Sequence, residues 1–152
     1  MIAGITHAVR YVPDYELALE LHHDLLGMQV VTDTSMAPDK MRWLGVGATD
    51  QTGVELVLQV PSDWMSGEAL ARAEAQFGKQ SMICLSTNDI DGVFEKLTVI
   101  GAQIRQPGIG QMPWGRDLSF SDLFGNEIYL VEPPPKPLEE SDHARNHRFY
   151  RC

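Results

Sequence analysis

Few side chains in this sequence are equipped for chemistry, and the first is His7, in the stretch ITHAVRYVPD over residues 5–14. An imidazole titrates near neutrality, so it can act as a general acid or base or ligate a borderline metal ion. It can equally be a hydrogen-bonded histidine on a sheet wall. The other histidines offer less. His22 and His23 are adjacent on a predicted helix and so point about 100° apart, which does not suit a shared metal. His143 and His147 stand four apart in HARNH, a spacing that binds zinc on a helix, but without a structured third ligand they read as a solvated tail. Trp43, Trp64 and Trp114 could line an aromatic pocket; their plainer roles are packing on a strand, covering a barrel end and filling a turn. Arg42 and Arg116 are the cations placed to meet an anionic ligand, against the plainer reading of exposed arginines. Cys84 lies in an apolar run and Cys152 is the last residue, so no disulfide framework is expected and a reducing, cytoplasmic setting is.

These residues need a scaffold, and the chain is sized for one domain: 152 residues, 43% apolar and 22% charged. The net charge of −9 disfavours nucleic acid and anionic membrane as partners, because no basic patch can neutralise phosphates. No apolar run approaches the roughly 20 residues that cross a bilayer, and no signal-peptide pattern opens the chain.

The scaffold is written twice. HAVRYVPDYELALELHHDLLGMQVV (7–31) and MICLSTNDIDGVFEKLTVIGAQI (82–104) each open on a strand-like run, reach an Asp, pass through an amphipathic segment and stop at Gly. His7 precedes Asp14 by seven residues, and Met82 precedes Asp89 by seven. Leu17, Leu21 and Leu25 form an apolar stripe in the first segment; Ile90, Val93, Phe94 and Leu97 do so in the second, with Asp89 placed to cap. Gly27 suits the left-handed residue beyond a helix end. Strand signals follow in KMRWLGVGA (40–48) and GVELVLQV (53–60), then in DLSFSD (117–122) and GNEIYLVE (125–132). Each half is thus a strand, a helix and about three more strands. The expected organisation is module one over 1–60, a linker over 61–79 with a helix from about Ser66 to Phe77, module two over 80–134, and an extended Pro-rich polar tail over 135–152.

Over residues 2–133 this pattern resembles the vicinal-oxygen-chelate superfamily of glyoxalases, bleomycin-resistance proteins and extradiol dioxygenases. The resemblance rests on ITHAVRYVPDYELALELHHDLLGM, on NDIDGVFEKLTVIGA and on MPWGRDLSFSDLFGNEIYLVE, whose Pro–aromatic–Gly loop, strand, D-x-x-G-N turn and final strand are similar to the closing signature of that family. It implies an α+β fold in which two βαβββ modules form an open barrel with an internal pseudo-twofold repeat, a ligand in the cleft between halves, and a homodimer. MRWLGVGATDQTGVELVLQ is similar to a glyoxalase-like branch whose members often lack the full metal set.

The same resemblance locates a metal site. It implies ligands near the start of each module's first strand and in each module's last strand, which here are His7 and Glu55, then Met82 and Tyr129. A divalent ion such as Zn, Ni, Mn or Fe needs three or four nitrogen or oxygen donors. A thioether is a poor ligand for such ions, and a phenol must first be deprotonated. Iron chemistry on two histidines and a carboxylate lacks its second histidine. Glu127 shares a strand face with Tyr129, so His7, Glu55 and Glu127 form a fallback set.

The expected function is therefore metal-free binding of a small molecule, with His7, Trp43, Glu55, Met82, Trp114, Arg116 and Tyr129 as candidate ligand-binding residues. The alternatives are a metal-dependent lyase or isomerase of the glyoxalase or epimerase type, stabilising an enediolate, and metal-free acid–base catalysis. In the latter His7 is the base, Glu55 raises its basicity, and Tyr129 donates to an oxyanion.

Overall fold

In the computed structural model the described residues are 2–38, 40–105 and 108–135. The segment that holds His143 and His147 lies outside them. The chain divides into two compact units, Met1–Ser81 together with Asp122–Asn126, and Met82–Ser121 together with the residues from Glu127 on.

The first unit runs β1 (His7–Tyr11), α1 (Tyr15–Leu19), a π-helical turn (Glu20–Leu25), β2 (Gln29–Ala37), β3 (Lys40–Gly47) and β4 (Glu55–Gln59), followed by a short 3₁₀ turn and α2 (Gly67–Glu74). Its four-stranded sheet has the order β1-β4-β3-β2, with β1 parallel to β4 and the other pairs antiparallel. The second unit runs β5 (Ile83–Ser86), α3 (Ile90–Val99), β6 (Gly110–Met112), β7 (Gly115–Ser121) and β8 (Glu127–Glu132), and its sheet has the matching order β5-β8-β7-β6. The fold is α+β, built from two βαβββ modules, as the duplicated sequence pattern implied. Two strands were not individually legible: β2, whose mixed polar composition shows little alternation, and the three-residue β6.

Helices α1 and α3 each start on an aspartate. Asp14 accepts from the Leu17 amide and Asp89 from the Gly92 amide, each at 2.9 Å, which satisfies one of the free N–H groups of the first turn. Gly27 (φ 72°) and Gly101 (φ 70°) follow the helix ends in the left-handed conformation that costs other residues energy.

Alternation along the strands sorts each sheet into a core face and an opposite face. In the first unit Val12, Ala18, Leu44, Val46 and Leu58 form a buried cluster on the helix side. In the second, Ile90 and Leu97 of α3 are buried, as are Leu118, Phe120, Ile128 and Leu130 of the sheet.

The first helix departs from the expected stripe. Leu21 and Leu25 are buried but Leu17 is 43% exposed, and Ala18 and His22 are buried with them. The cause is the π-helical turn, where the Leu26 amide bonds five residues back to Leu21 and rotates the buried face. His22 is buried with Nδ1 on the Ala18 carbonyl at 2.9 Å, and burial holds its pKa below the ordinary value. In the same unit the buried Arg10 donates to the Ser81 carbonyl at 3.1 Å and lies 3.7 Å from Asp122, which itself accepts from the amides of Phe124 and Asn126. At Tyr11 the edge of β1 meets the side chain of Gln80, which accepts from the Tyr11 amide and donates to its carbonyl, both at 2.7 Å.

Candidate functional site

His7 opens β1 directly opposite Glu55, the first residue of β4, in a parallel pairing. The two therefore share the face turned away from the helix. Trp43 belongs to the same face, and its ring meets the His7 imidazole edge-on at a centroid distance of 5.4 Å. Trp64, just beyond the 3₁₀ turn, meets Trp43 in the same manner at 6.1 Å. Such edge-to-face pairs fix ring orientation.

The Glu55 carboxylate has a seat of its own. Thr32 on β2 donates to Oε1 at 3.3 Å, and Oε2 is buried over Gly45 with no hydrogen-bond partner. A Cβ at Gly45 would overlap that oxygen, so the glycine creates the space. His7 Nδ1 lies 2.9 Å from Thr6 Oγ1. The hydrogen bonds of His7 and Glu55 thus go to threonines, and the expected carboxylate–imidazole dyad is not joined.

The second unit builds its corresponding face from β5, β7 and β8. Tyr129 lies between Cys84 and Ser119 in the sheet. Its hydroxyl donates to the buried Asp117 and accepts from Trp114 Nε1 at 3.2 Å. Burial and the neighbouring Asp117 raise its pKa above the ordinary phenol value. The hydroxyl proton is therefore committed to a carboxylate and is not the free oxyanion donor anticipated from sequence. Asp117 was missed because only its register opposite Val131, two residues from Tyr129 and on the same face, reveals the partnership.

Glu127 shares the Tyr129 face, two residues away, and accepts from Ser119 Oγ at 2.8 Å. Gly53 and Gly125, two residues before Glu55 and Glu127, share φ 86°. The turns thus align Glu127 with Glu55, and Tyr129 with Val57, a correction to the alignment of Tyr129 with Glu55. The offset is two residues, one pleat period, so both alignments keep the same face. Met82 stands just before β5 and is 49% exposed.

The two candidate arginines are engaged elsewhere. Arg42 donates to both oxygens of Asp33 at 2.9 Å, lies 3.3 Å from Glu16 and covers the Tyr15 ring, all on the helix side. Arg116 pairs with Glu132 and with Asp91, the latter at 2.8 Å. Each is held by carboxylates on the face opposite to the aromatic residues.

Among the described residues, no three His, Cys, Asp or Glu side chains are gathered so as to hold a metal ion. Two of the donors at the expected positions fit one poorly: a thioether, and a phenol whose proton is already shared.

Known proteins share this fold. UcmS2 matches the structure with a TM-score of 0.70 at 25% identity, over 86% of this chain and 98% of its own. A protein of Sphaerobacter thermophilus, described as a member of the glyoxalase/bleomycin resistance protein/dioxygenase superfamily, matches at 0.64 with 33% identity, over 86% of this chain and 98% of its own. TnmS3, an antibiotic binding protein from Streptomyces sp. CB03234, matches at 0.63 with 26% identity, over 88% and 98%. The sequence profile of the Glyoxalase/Bleomycin resistance protein/Dioxygenase superfamily covers residues 4–130. With the profile spanning nearly all of both modules, this chain belongs to that superfamily.

Proposed function

We propose that this chain binds a small, planar organic molecule on the aromatic faces of its sheets, and does so without a metal. The observation that carries the reading is the fixing of the aromatic groups. Trp43 is held edge-on between His7 and Trp64, and Trp114 is tied through its indole N–H to Tyr129 and thence to Asp117. The Trp114 N–H bonds within the protein, so its ring is what it offers a ligand. Rigid aromatic surface loses little conformational entropy on binding, which favours stacking recognition. TnmS3, similar over most of this chain, is described as an antibiotic binding protein, and that supports the same class of role here.

Two features favour binding over catalysis. His7 and Glu55 hydrogen-bond to threonines rather than to one another, and Tyr129 gives its proton to Asp117. The metal-free reading is supported by the donor chemistry described above. A homodimer, implied by the family resemblance, is part of the proposal and is checked by light scattering.

The test is a screen of planar aromatic compounds by equilibrium dialysis, repeated with Trp43→Ala and Trp114→Ala. A ligand that binds the parent chain and loses roughly tenfold or more with either substitution is the expected result. Unchanged affinity in both variants, or no binding across the screen, would count against it.

A further inference from the structure

Both modules carry a glutamate at the first position of the last strand, two residues after a glycine of φ 86°: Glu55 and Glu127. Each points to its sheet's aromatic face, and each takes a hydrogen bond from a hydroxyl on another strand of that sheet, Thr32 and Ser119. A hydroxyl orients a carboxylate without neutralising it. The arginines of the strands are placed otherwise. Arg10 lies beside Asp122, Arg42 is bound by Asp33 and Glu16, and Arg116 by Glu132 and Asp91, all on the opposite faces. Lys40 stands exposed at the outer start of β3. Arg105, exposed, comes to the border of Glu127's face: its Nε lies 3.1 Å from Oγ of Ser121, which stands opposite Glu127 in the sheet.

We infer that the ligand of this protein is a cation: a planar aromatic molecule bearing a protonated amine or an equivalent positive group. The inference rests on the reading above that a planar molecule binds these faces, and adds the sign of its charge. Two forces favour that sign. Carboxylates on a partly desolvated face, with no ion pair among the described residues, attract a positive group and repel an anion far more than the same charges in bulk water. Ring faces of tryptophan and tyrosine attract cations through their quadrupole. Oε2 of Glu55, buried without a hydrogen bond, is also an acceptor that a ligand N–H can satisfy once the carboxylate turns outward. Because the arrangement recurs in both modules, the expected sign is the same for either face.

Three probes on one ring system separate charge from shape: aminoacridine, cationic at mildly alkaline pH; acridine, neutral there; and acridine carboxylate, anionic. Equilibrium dialysis against the full chain is expected to give about tenfold or more tighter binding of the cation than of the anion, with the neutral ring between them. In E55Q/E127Q that ratio collapses to within about threefold while neutral acridine keeps its affinity, since glutamine preserves shape and removes charge. Glu68, whose side chain is 96% exposed on α2, supplies the control: E68Q leaves the ratio unchanged if the effect is local rather than due to net charge. An anion bound as tightly as the cation, or a ratio that survives E55Q/E127Q or falls equally with E68Q, overturns the inference and leaves small-molecule binding standing. Failure of all three probes to bind removes the planar-ligand reading and this inference together.

Discussion

At Gly45 the main chain passes under the Glu55 carboxylate so closely that one methyl group would displace it. Gly45→Ala is therefore expected to unseat Glu55 from Thr32. The far end of a glutamate can swing away, so the cost is the lost hydrogen bond, about 1 kcal/mol, rather than that of an overpacked core. Urea unfolding checks this, and the same substitution made in Glu55→Ala should cost clearly less, because the two effects share one contact. His22 makes a second prediction. Burial lowers its pKa in the folded protein, while the unfolded chain takes up the proton at the ordinary value of 6.5. Stability from this group is thus complete above that value and declines as pH falls through and below it, by up to about 1.4 kcal/mol per pH unit. Unfolding curves at mildly alkaline and mildly acidic pH should show the decline, and His22→Leu should flatten it. Neither Gly45 nor His22 announced its role in the sequence. A glycine in a strand and a histidine in a helix acquire meaning only from what lies across the sheet or beneath the turn. His7 and Glu55 were legible as a pair, while the threonines that take their hydrogen bonds were not.

The helices and strands were easier to foresee, because spacing and punctuation are local. Asp14 and Asp89 each cap a helix in the way their place before an amphipathic run implied. Asp14→Ala and Asp89→Ala are each expected to cost about 1 kcal/mol, read from circular dichroism during urea unfolding. An unchanged midpoint in either would mean that packing alone holds that helix end. The exceptions have physical causes. The π-helical turn at Glu20–Leu25 shifts the buried stripe by a residue, and nothing in a helical repeat of leucines signals it. Strand β2 places Thr32, Thr34 and Ser35 among its nine residues, so its pairing with β3, rather than its own apolar pattern, defines it. The pairing also settled which glutamate answers to which. Counting residues between repeats matched Tyr129 to Glu55, whereas the shared backbone angle at Gly53 and Gly125 matches Glu127.

Over the whole chain, duplication made the fold readable: two copies of one order of elements constrain each other more than either alone. Chemistry was less readable, since a family can keep its scaffold while the residues on it change task. The matched superfamily joins glyoxalases, resistance proteins and dioxygenases under one scaffold, and only the side chains on the sheet faces choose among them. No helix among the described residues is long and apolar enough to cross a membrane. The metal question has a direct readout. A ligand set of three or more donors would stabilise the protein on adding micromolar Zn²⁺, Ni²⁺, Mn²⁺ or Fe²⁺. The expected outcome is no rise in Tm in untagged protein, together with substoichiometric metal by elemental analysis. A rise abolished by His7→Ala would restore the metal-dependent reading.

The pairing of Gln80 with Tyr11 bears on how the molecule meets others of its kind. A strand edge with an unmatched amide and carbonyl is a growing end, able to add the next strand from any chain that offers one. The glutamine amide supplies one donor and one acceptor at the backbone's own spacing, on a stem that leads nowhere, and so acts as a chain terminator does in a polymerisation. Hydrolysis of that one amide to a carboxylate would replace the donor with an oxygen facing the Tyr11 carbonyl oxygen, and so make the end of β1 live again.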